Sequence, residues 1–497
     1  MKGFEHIISA FYKEQGLVRH QIDSYDRFVE ERMQSIVDDA GSVTPEIMAE
    51  GVSEYKIRFG KVTVGIPMFK EADGSEGRIY PVEARIRNLT YSAPIKLEVI
   101  KEIDGIKRDP EEVVIGSMPI MIKSKHCLLN KLDRNQLIDA GEDPEDPGGY
   151  FIIQGTERVL IPIEDLRPNF PLLEKKIKGP VTDLARLFSE TPGIRVPHVF
   201  ERMNSGIICV SFARVQRIPA AILMMALGID TDEKIMKALS EDEHLEEAVL
   251  ANIEALGEES KTPGEALDWI GRQMKIGQGP EYRIERVSEL LNQYLLPHIG
   301  RGPSSHLEKA TYIGKIAEKL IKLDHDLVSP DDKDHYANKR LKLSGELMEQ
   351  AFRAAFRGLL NDIKYSFERT TKRGKEPPLN TLVRSQIITM RLESNLATGK
   401  WVGNREGVSQ HLQRLNHMDT ISHLRRVLSP LTTSQPHFEA RELHPTHWGK
   451  LCASETPEGQ NIGLRKNLAL TAKVTYGFDP EPVRKALFQL GVENWGD

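Results

Sequence analysis

Three cysteines in 497 residues, Cys127, Cys209 and Cys452, are too few, too scattered and odd in number for a disulfide framework or an all-cysteine zinc site. A reducing compartment suits such a chain. No apolar run reaches the roughly 20 residues that a bilayer span needs; the longest, Ile218–Ile229 (IPAAILMMALGI), reads as a buried helix. Met1–Ala10 carries Glu5 and His6 and lacks the apolar core and cleavage site of a secretory signal, so the expected location is the cytoplasm. Basic residues are not in excess either: 67 Lys and Arg against 73 Asp and Glu give a net charge of -6, which excludes a protein that holds nucleic acid by overall basicity. Catalytic signatures are missing as well. None of the Gly-Lys pairs is followed by Ser or Thr, so there is no P-loop, and no G-x-S-x-G, H-E-x-x-H or kinase set occurs.

What is present is ordinary soluble composition, 39% hydrophobic and 28% charged, at a length that suggests three or so compact units. The N-terminal stretch has helical spacing interrupted at Gly16, and Asp23 and Ser24 are candidate caps for QIDSYDRFVEERMQSIV. Alternation at Tyr55/Ile57/Phe59 and Val62/Val64/Ile66 predicts strands, as does a block at Ile79–Val99 reached through a turn in Glu71–Gly77. Tyr150–Ile153 and Arg158–Ile161 predict a hairpin. Residues 180–320 have a mostly helical period, with Pro219 opening the Ala220–Leu227 helix. Leu347, Phe352, Phe356, Leu360, Ile363 and Phe367 mark a long helix, Ser344–Phe367, whose stripe reads as core.

Charge is unevenly spread. Asp230–Lys261 holds eleven acidic residues against three basic, whereas Thr371–Arg426 holds ten basic against four acidic, a local excess of +6. Any nucleic-acid contact belongs to the second stretch. Two carboxylate groups, Gly141–Gly149 (GEDPEDPGG) and Asp331–Asp334 (DDKD), read as turns or caps rather than metal sites, because their Pro, Gly and Asp content suits loops. His444, His447 and Cys452, with Glu455 as base, leave open a zinc-dependent nuclease or hydrolase. The plainer alternative has the prolines and glycines setting turns while His, Trp and Glu hydrogen-bond in a packed polar core. A non-catalytic interaction scaffold is a third reading.

Thr398–Pro430 (TGKWVGNREGVSQHLQRLNHMDTISHLRRVLSP) and Arg441–Leu470 (RELHPTHWGKLCASETPEGQNIGLRKNLAL) resemble the fork region of the second-largest, beta-like subunit of multisubunit DNA-dependent RNA polymerases. GLVRHQIDSYDRFV, YPVEARIRNLTYSAPI, GSMPIMIKSKHCLL, GGYFIIQGTERVLI, IPAAILMMALGI and DDKDHYANKRLKLSGELM resemble the same family in collinear order. The resemblance covers about the first half of that subunit and matches the archaeal arrangement, in which it is split between two polypeptides.

It implies a multidomain α+β fold. Residues 1–29 would be an outer segment, 30–175 with 331–396 the protrusion, 176–330 an inserted lobe, 397–470 the fork and 471–497 the start of a region completed by a partner chain. It implies no catalytic residue here and no cofactor on this chain, the Mg2+ of RNA synthesis being held by the largest subunit. Arg405, Gln410, Arg425 and Arg426 match nucleic-acid-facing positions, and Lys372, Arg373 and Lys375 would lie in a basic loop of the protrusion that either touches upstream DNA or is a solvated surface loop. Glu455, Pro457, Glu458, Gly459 and His447 would support the active centre. The implied partners are the second half of the subunit, the largest subunit, template DNA, nascent RNA and the RNA–DNA hybrid; no membrane is implied.

Overall fold

The computed structural model describes residues 4–45, 54–71, 73–176, 179–229, 231–240, 243–254, 256–257, 262–371, 378–477 and 480–492. They form a mixed α/β chain in two compact units, Met1–Ile163 with Lys342–Asp497, and Glu164–Leu341, where length alone suggested three or so. Among the described residues no helix is long and apolar enough to cross a membrane.

The first unit is built on an antiparallel sheet in which Ser92–Ile103 pairs with Tyr55–Val64 on one side and Glu111–Pro119 on the other. Ala93, Ile95, Leu97 and Val99 alternate into the core, and Lys96 between them reaches Glu112 at 2.9 Å. The predicted long helix runs Ser344–Thr371, and its stripe is core. Phe352 meets Phe28 and Phe356, and Phe356 and Phe367 meet Phe59 and Tyr55 of the sheet, with ring centroids 4.5–6.2 Å apart. Each such ring contributes about 1.5–3 kcal/mol by leaving water.

The helix starts against the N-terminal segment, where Gly345 N–H donates to Ser24 Oγ at 3.0 Å and Ser344 Oγ donates to the Gln21 carbonyl at 2.8 Å. Ser24 is therefore committed to this crossing. It does not cap a helix: Arg19–Arg27 is already helical and leads through a π-helical turn, Phe28–Arg32, into Met33–Ala40. Asp23, the other expected cap, pairs with Arg19 at 3.1 Å one turn away.

Phe151–Ile153 and Thr156–Leu160 form the predicted hairpin. Its two turn residues, Gln154 and Gly155, have φ of 48° and 74°, the left-handed pair of a type I′ turn. Ile79–Val99 is strand only in its second part, because Pro81 at a first-turn position opens a short helix, Pro81–Ile86.

The second unit corrects the helical expectation for residues 180–219 and bears it out from Ala220 to residue 320. Leu172–Lys175, Val181–Thr191, Ile194–Met203, Ile208–Phe212 and Val215–Pro219 form a five-stranded antiparallel meander in sequence order. Its inward positions include Asp183, Ser189 and His198, so the period of two is not written in apolar residues. Ser189 Oγ lies 2.7 Å from His298 Nδ1, and His198 Nε2 accepts the Leu296 N–H at 3.1 Å. Helices follow from Ala220–Ala226, which is buried along its whole length as the apolar run predicted, to His306–Asp324.

Candidate nucleic-acid interface

The described part of the basic stretch folds in the first unit as the helices Leu379–Leu382, Gln386–Thr398 and His417–Leu424 and the strands Ser409–His411 and Arg426–Leu428. Ser409–His411 extends the hairpin, with Ser409, Gln410 and His411 opposite Leu160, Val159 and Arg158. Asn416 then caps the helix His417–Leu424 by accepting the Asp419 N–H at 2.8 Å. Arg426–Leu428 follows at once and pairs with Arg465–Asn467. Arg426 stands opposite Asn467, so Arg465, two residues away, shares its face of the ladder.

His423 organises this surface from below. It is 1% exposed; its Nδ1 accepts the Gln413 N–H at 3.1 Å, and its Nε2 lies 3.1 Å from Gln410 Oε1. An amide oxygen can only accept, so the ring is neutral with its proton on Nε2. Burial, followed by the nearby Arg426 and Arg465, lowers its pKa to about 4. Gln410 also donates from Nε2 to the Gly407 carbonyl at 3.0 Å, and Arg426 donates to Gln413 Oε1 at 3.2 Å. Arg426 is half-buried, and desolvation and the facing Arg465 both make its positive charge less comfortable. Two guanidiniums on one ladder face, with amide side chains fixed beside them, suit a polyanion whose oxygens accept from both.

The expected residues do not all meet there. Arg405 sits half-buried at the base of a loop, where its carbonyl accepts the Trp401 N–H at 2.8 Å. Arg425 is 5% exposed, and its guanidinium donates to the carbonyls of Leu17, Leu468, Ala469 and Leu470. Those bonds tie the N-terminal segment to residues 468–470, just past the strand Arg465–Asn467, which makes Arg425 an internal brace rather than a contact. Lys372, Arg373 and Lys375 lie outside the described residues. Arg465 was missed by sequence reasoning, because only the pairing register brings it beside Arg426.

The Glu455–Gly459 turn is stitched to the same ladder. Thr456 Oγ1 donates to the Arg465 carbonyl and accepts the Gly463 N–H, both at 2.9 Å. Ser422 Oγ donates to Glu455 and accepts from Asn467 Nδ2 at 2.9 Å. Glu455, Pro457, Glu458 and Gly459 are exposed, while His447 is buried.

Trp448 corrects the packed-core expectation for this segment. It is 93% exposed just past the tight turn Pro445–His447, in which His447 is buried. Nor does the zinc arrangement form: His444 Nδ1 accepts the Thr446 N–H at 3.2 Å, and among the described residues no three His, Cys, Asp or Glu side chains gather closely enough to hold a metal ion. Asp332 forms a turn, accepting the Asp334 and His335 N–H groups at 2.8 and 3.2 Å, and His335 caps the short helix that follows.

The profile of the family described as "RNA polymerase beta subunit" matches residues 16–390, and that of "RNA polymerase Rpb2, domain 3" matches residues 410–474. The chain belongs to the RNA polymerase second-largest-subunit family. Relatives named DNA-directed RNA polymerase subunit Rpo2N are 47% identical in Methanocaldococcus jannaschii and 46% in Methanococcus vannielii, each over 98% of both chains. A relative named subunit Rpo2, from Saccharolobus shibatae, is 44% identical over 98% of this chain but only 43% of its own length. Within the family, then, this chain corresponds to the N-terminal half of the subunit in its split archaeal form. The second match, residues 410–474, spans both the arginine ladder and the Glu455–Gly459 turn.

Proposed function

We propose that the chain forms one wall of the nucleic-acid cleft of a DNA-directed RNA polymerase, active in the assembled enzyme and without catalysis of its own. The observation that carries this reading is the ladder face with Arg426 and Arg465 side by side and Gln410 and Gln413 held beneath by His423. Arginine grips phosphate oxygens bidentately without reading bases, which a processive enzyme requires. In this reading residues 30–175 with 331–396 are the protrusion, 176–330 the lobe and 397–470 the fork, with Arg405, Gln410, Arg426 and Arg465 facing the RNA–DNA hybrid or template. Glu455, Pro457, Glu458 and Gly459 form a turn that backs the active centre, with His447 beneath it. The partners are the remaining half of the subunit and the largest subunit, working in the cytoplasm. In this reading the magnesium of nucleotide addition belongs to the largest subunit.

The test is the salt dependence of elongation-complex lifetime in reconstituted polymerase. Removing one arginine–phosphate pairing lowers the log–log salt slope by about 1. Arg426→Ala with Arg465→Ala should therefore flatten the slope by about 2. A slope equal to wild type would show that neither guanidinium meets phosphate.

A further inference from the structure

Arg414 is a fork cation whose hydrogen bonds go elsewhere than to the ladder. Its Nε and Nη2 donate to the Glu157 carboxylate at 2.6 and 3.0 Å, Nη2 also donates to Asp146 at 2.8 Å, and the guanidinium lies 5.1 Å from the centre of the Tyr150 ring. Arg85 completes the cluster from the other side, donating to Glu157 and Glu142 at 2.9 Å each and to the Tyr150 hydroxyl at 2.7 Å. Tyr150 in turn donates to Asp146 at 3.0 Å. Two guanidiniums thus share three carboxylates that are largely withdrawn from water, so neither arginine lacks an anion to hold. The GEDPEDPGG stretch, which read as a surface turn, supplies Glu142 and Asp146 to this network.

Arg414 directly follows Gln413, and Gln413 is the hinge of the proposed interface: its N–H donates to His423 and its side-chain oxygen accepts from Arg426. One residue further back, the Leu412 N–H donates to the Glu157 carbonyl at 3.1 Å. The strand that carries Gln410 is therefore fastened to residue 157 by backbone and side chain together. We infer that Arg414 is a positioning residue: its fork on Glu157 and Asp146 sets the place of Gln413, and through Gln413 it aims Arg426 and holds the His423–Gln410 pair. This rests on the reading of the Arg426 surface given above. Arg414 itself touches no substrate in this scheme.

The distinguishing variant is Arg414→Lys, which keeps the positive charge but loses the bidentate geometry. In reconstituted polymerase it is compared with Arg426→Ala and with the double variant, the readout again being the salt slope of elongation-complex lifetime. Positioning predicts that Arg414→Lys flattens the slope by up to about 1 although the charge is retained, and that adding Arg426→Ala flattens it no further. Glu157→Gln, which leaves Arg414 in place and weakens its anchor, should do the same and stands in if Arg414→Lys fails to assemble. If Arg426→Ala flattens the slope while Arg414→Lys and Glu157→Gln leave it unchanged, or add to Arg426→Ala in full, Arg414 does not position Arg426 and this inference alone falls. If Arg426→Ala leaves the slope at wild type, the interface reading itself falls and takes the inference with it.

Discussion

At the scale of single residues, adjacent side chains of one type have opposite fates. Arg425 ends on four carbonyls and Arg426 on an amide oxygen and open face, because successive residues entering a strand point to opposite sides. The Arg-Arg pair was legible in the sequence as a candidate contact; which of the two faces outward was not, since that depends on the register with Arg465–Asn467. His423 gives the sharpest residue-scale prediction. Its Nδ1 can accept from Gln413 only while unprotonated, and its pKa of about 4 lies below the roughly 6.5 of a free histidine. The stability gained by keeping it neutral is thus fully present above pH 6.5 and declines as pH falls toward 4, by about 1.4 kcal/mol per pH unit. Deuterium exchange at the imidazole C2 position of His423, followed by mass spectrometry across pH, should titrate near 4. A midpoint near 6.5 would mean that the ring is solvated and does not hold the two glutamines.

At the scale of elements, the crossing of the long helix over the N-terminal segment is fixed by one glycine. A Cβ on Gly345 would lie 1.9 Å from the Ser24 carbonyl oxygen, so the helix start must shift to admit it. Gly345→Ala should lower stability by at least the 1–3 kcal/mol typical of overpacking, roughly. Gly358 in the same helix is the internal control, because a Cβ there meets nothing closer than 3.7 Å. Gly358→Ala should stabilise by about 0.5–1 kcal/mol. Denaturant midpoints that move together for the two variants would contradict this account. The helix itself was readable from its phenylalanine stripe, and the 151–160 hairpin from two apolar runs around a short turn, since both rest on apolar periodicity. The Val181–Thr191 and Ile194–Met203 strands were not readable: Asp183, Ser189 and His198 face inward, Ser189 and His198 hydrogen-bonding with the distant His298 and Leu296 and Asp183 facing Arg202 on the neighbouring strand at 3.7 Å. A buried polar residue with its partner far along the chain looks, locally, like a surface position.

At the scale of the whole molecule, each compact unit closes its own core. Among the described residues, the buried apolar cluster of the second unit runs between Leu173 and Leu323, and that of the first from Val18 to Ile163 and from Leu347 to Leu424. The two ends of the second unit are also tied to each other. The Arg167 N–H donates to the Asn338 carbonyl at 2.8 Å, and Lys339 pairs with Glu164 at 2.9 Å, both side chains being withdrawn from water. A segment with its own core and joined ends meets the physical conditions for autonomous folding. Residues 164–341, expressed alone, should unfold in one cooperative transition. The buried Lys339–Glu164 pair makes the result diagnostic of how the ends are held. Lys339→Met takes the ammonium from both the buried Glu164 and the neighbouring Asp334, leaving Glu164 the Tyr336 hydroxyl, so it should lower the fragment's melting temperature, and the double change with Glu164→Leu should recover part of that loss. A fragment that melts without cooperativity would show that the core between Leu173 and Leu323 is insufficient by itself. A cooperative fragment indifferent to Lys339→Met would show instead that the core suffices and the joined ends contribute nothing to its stability.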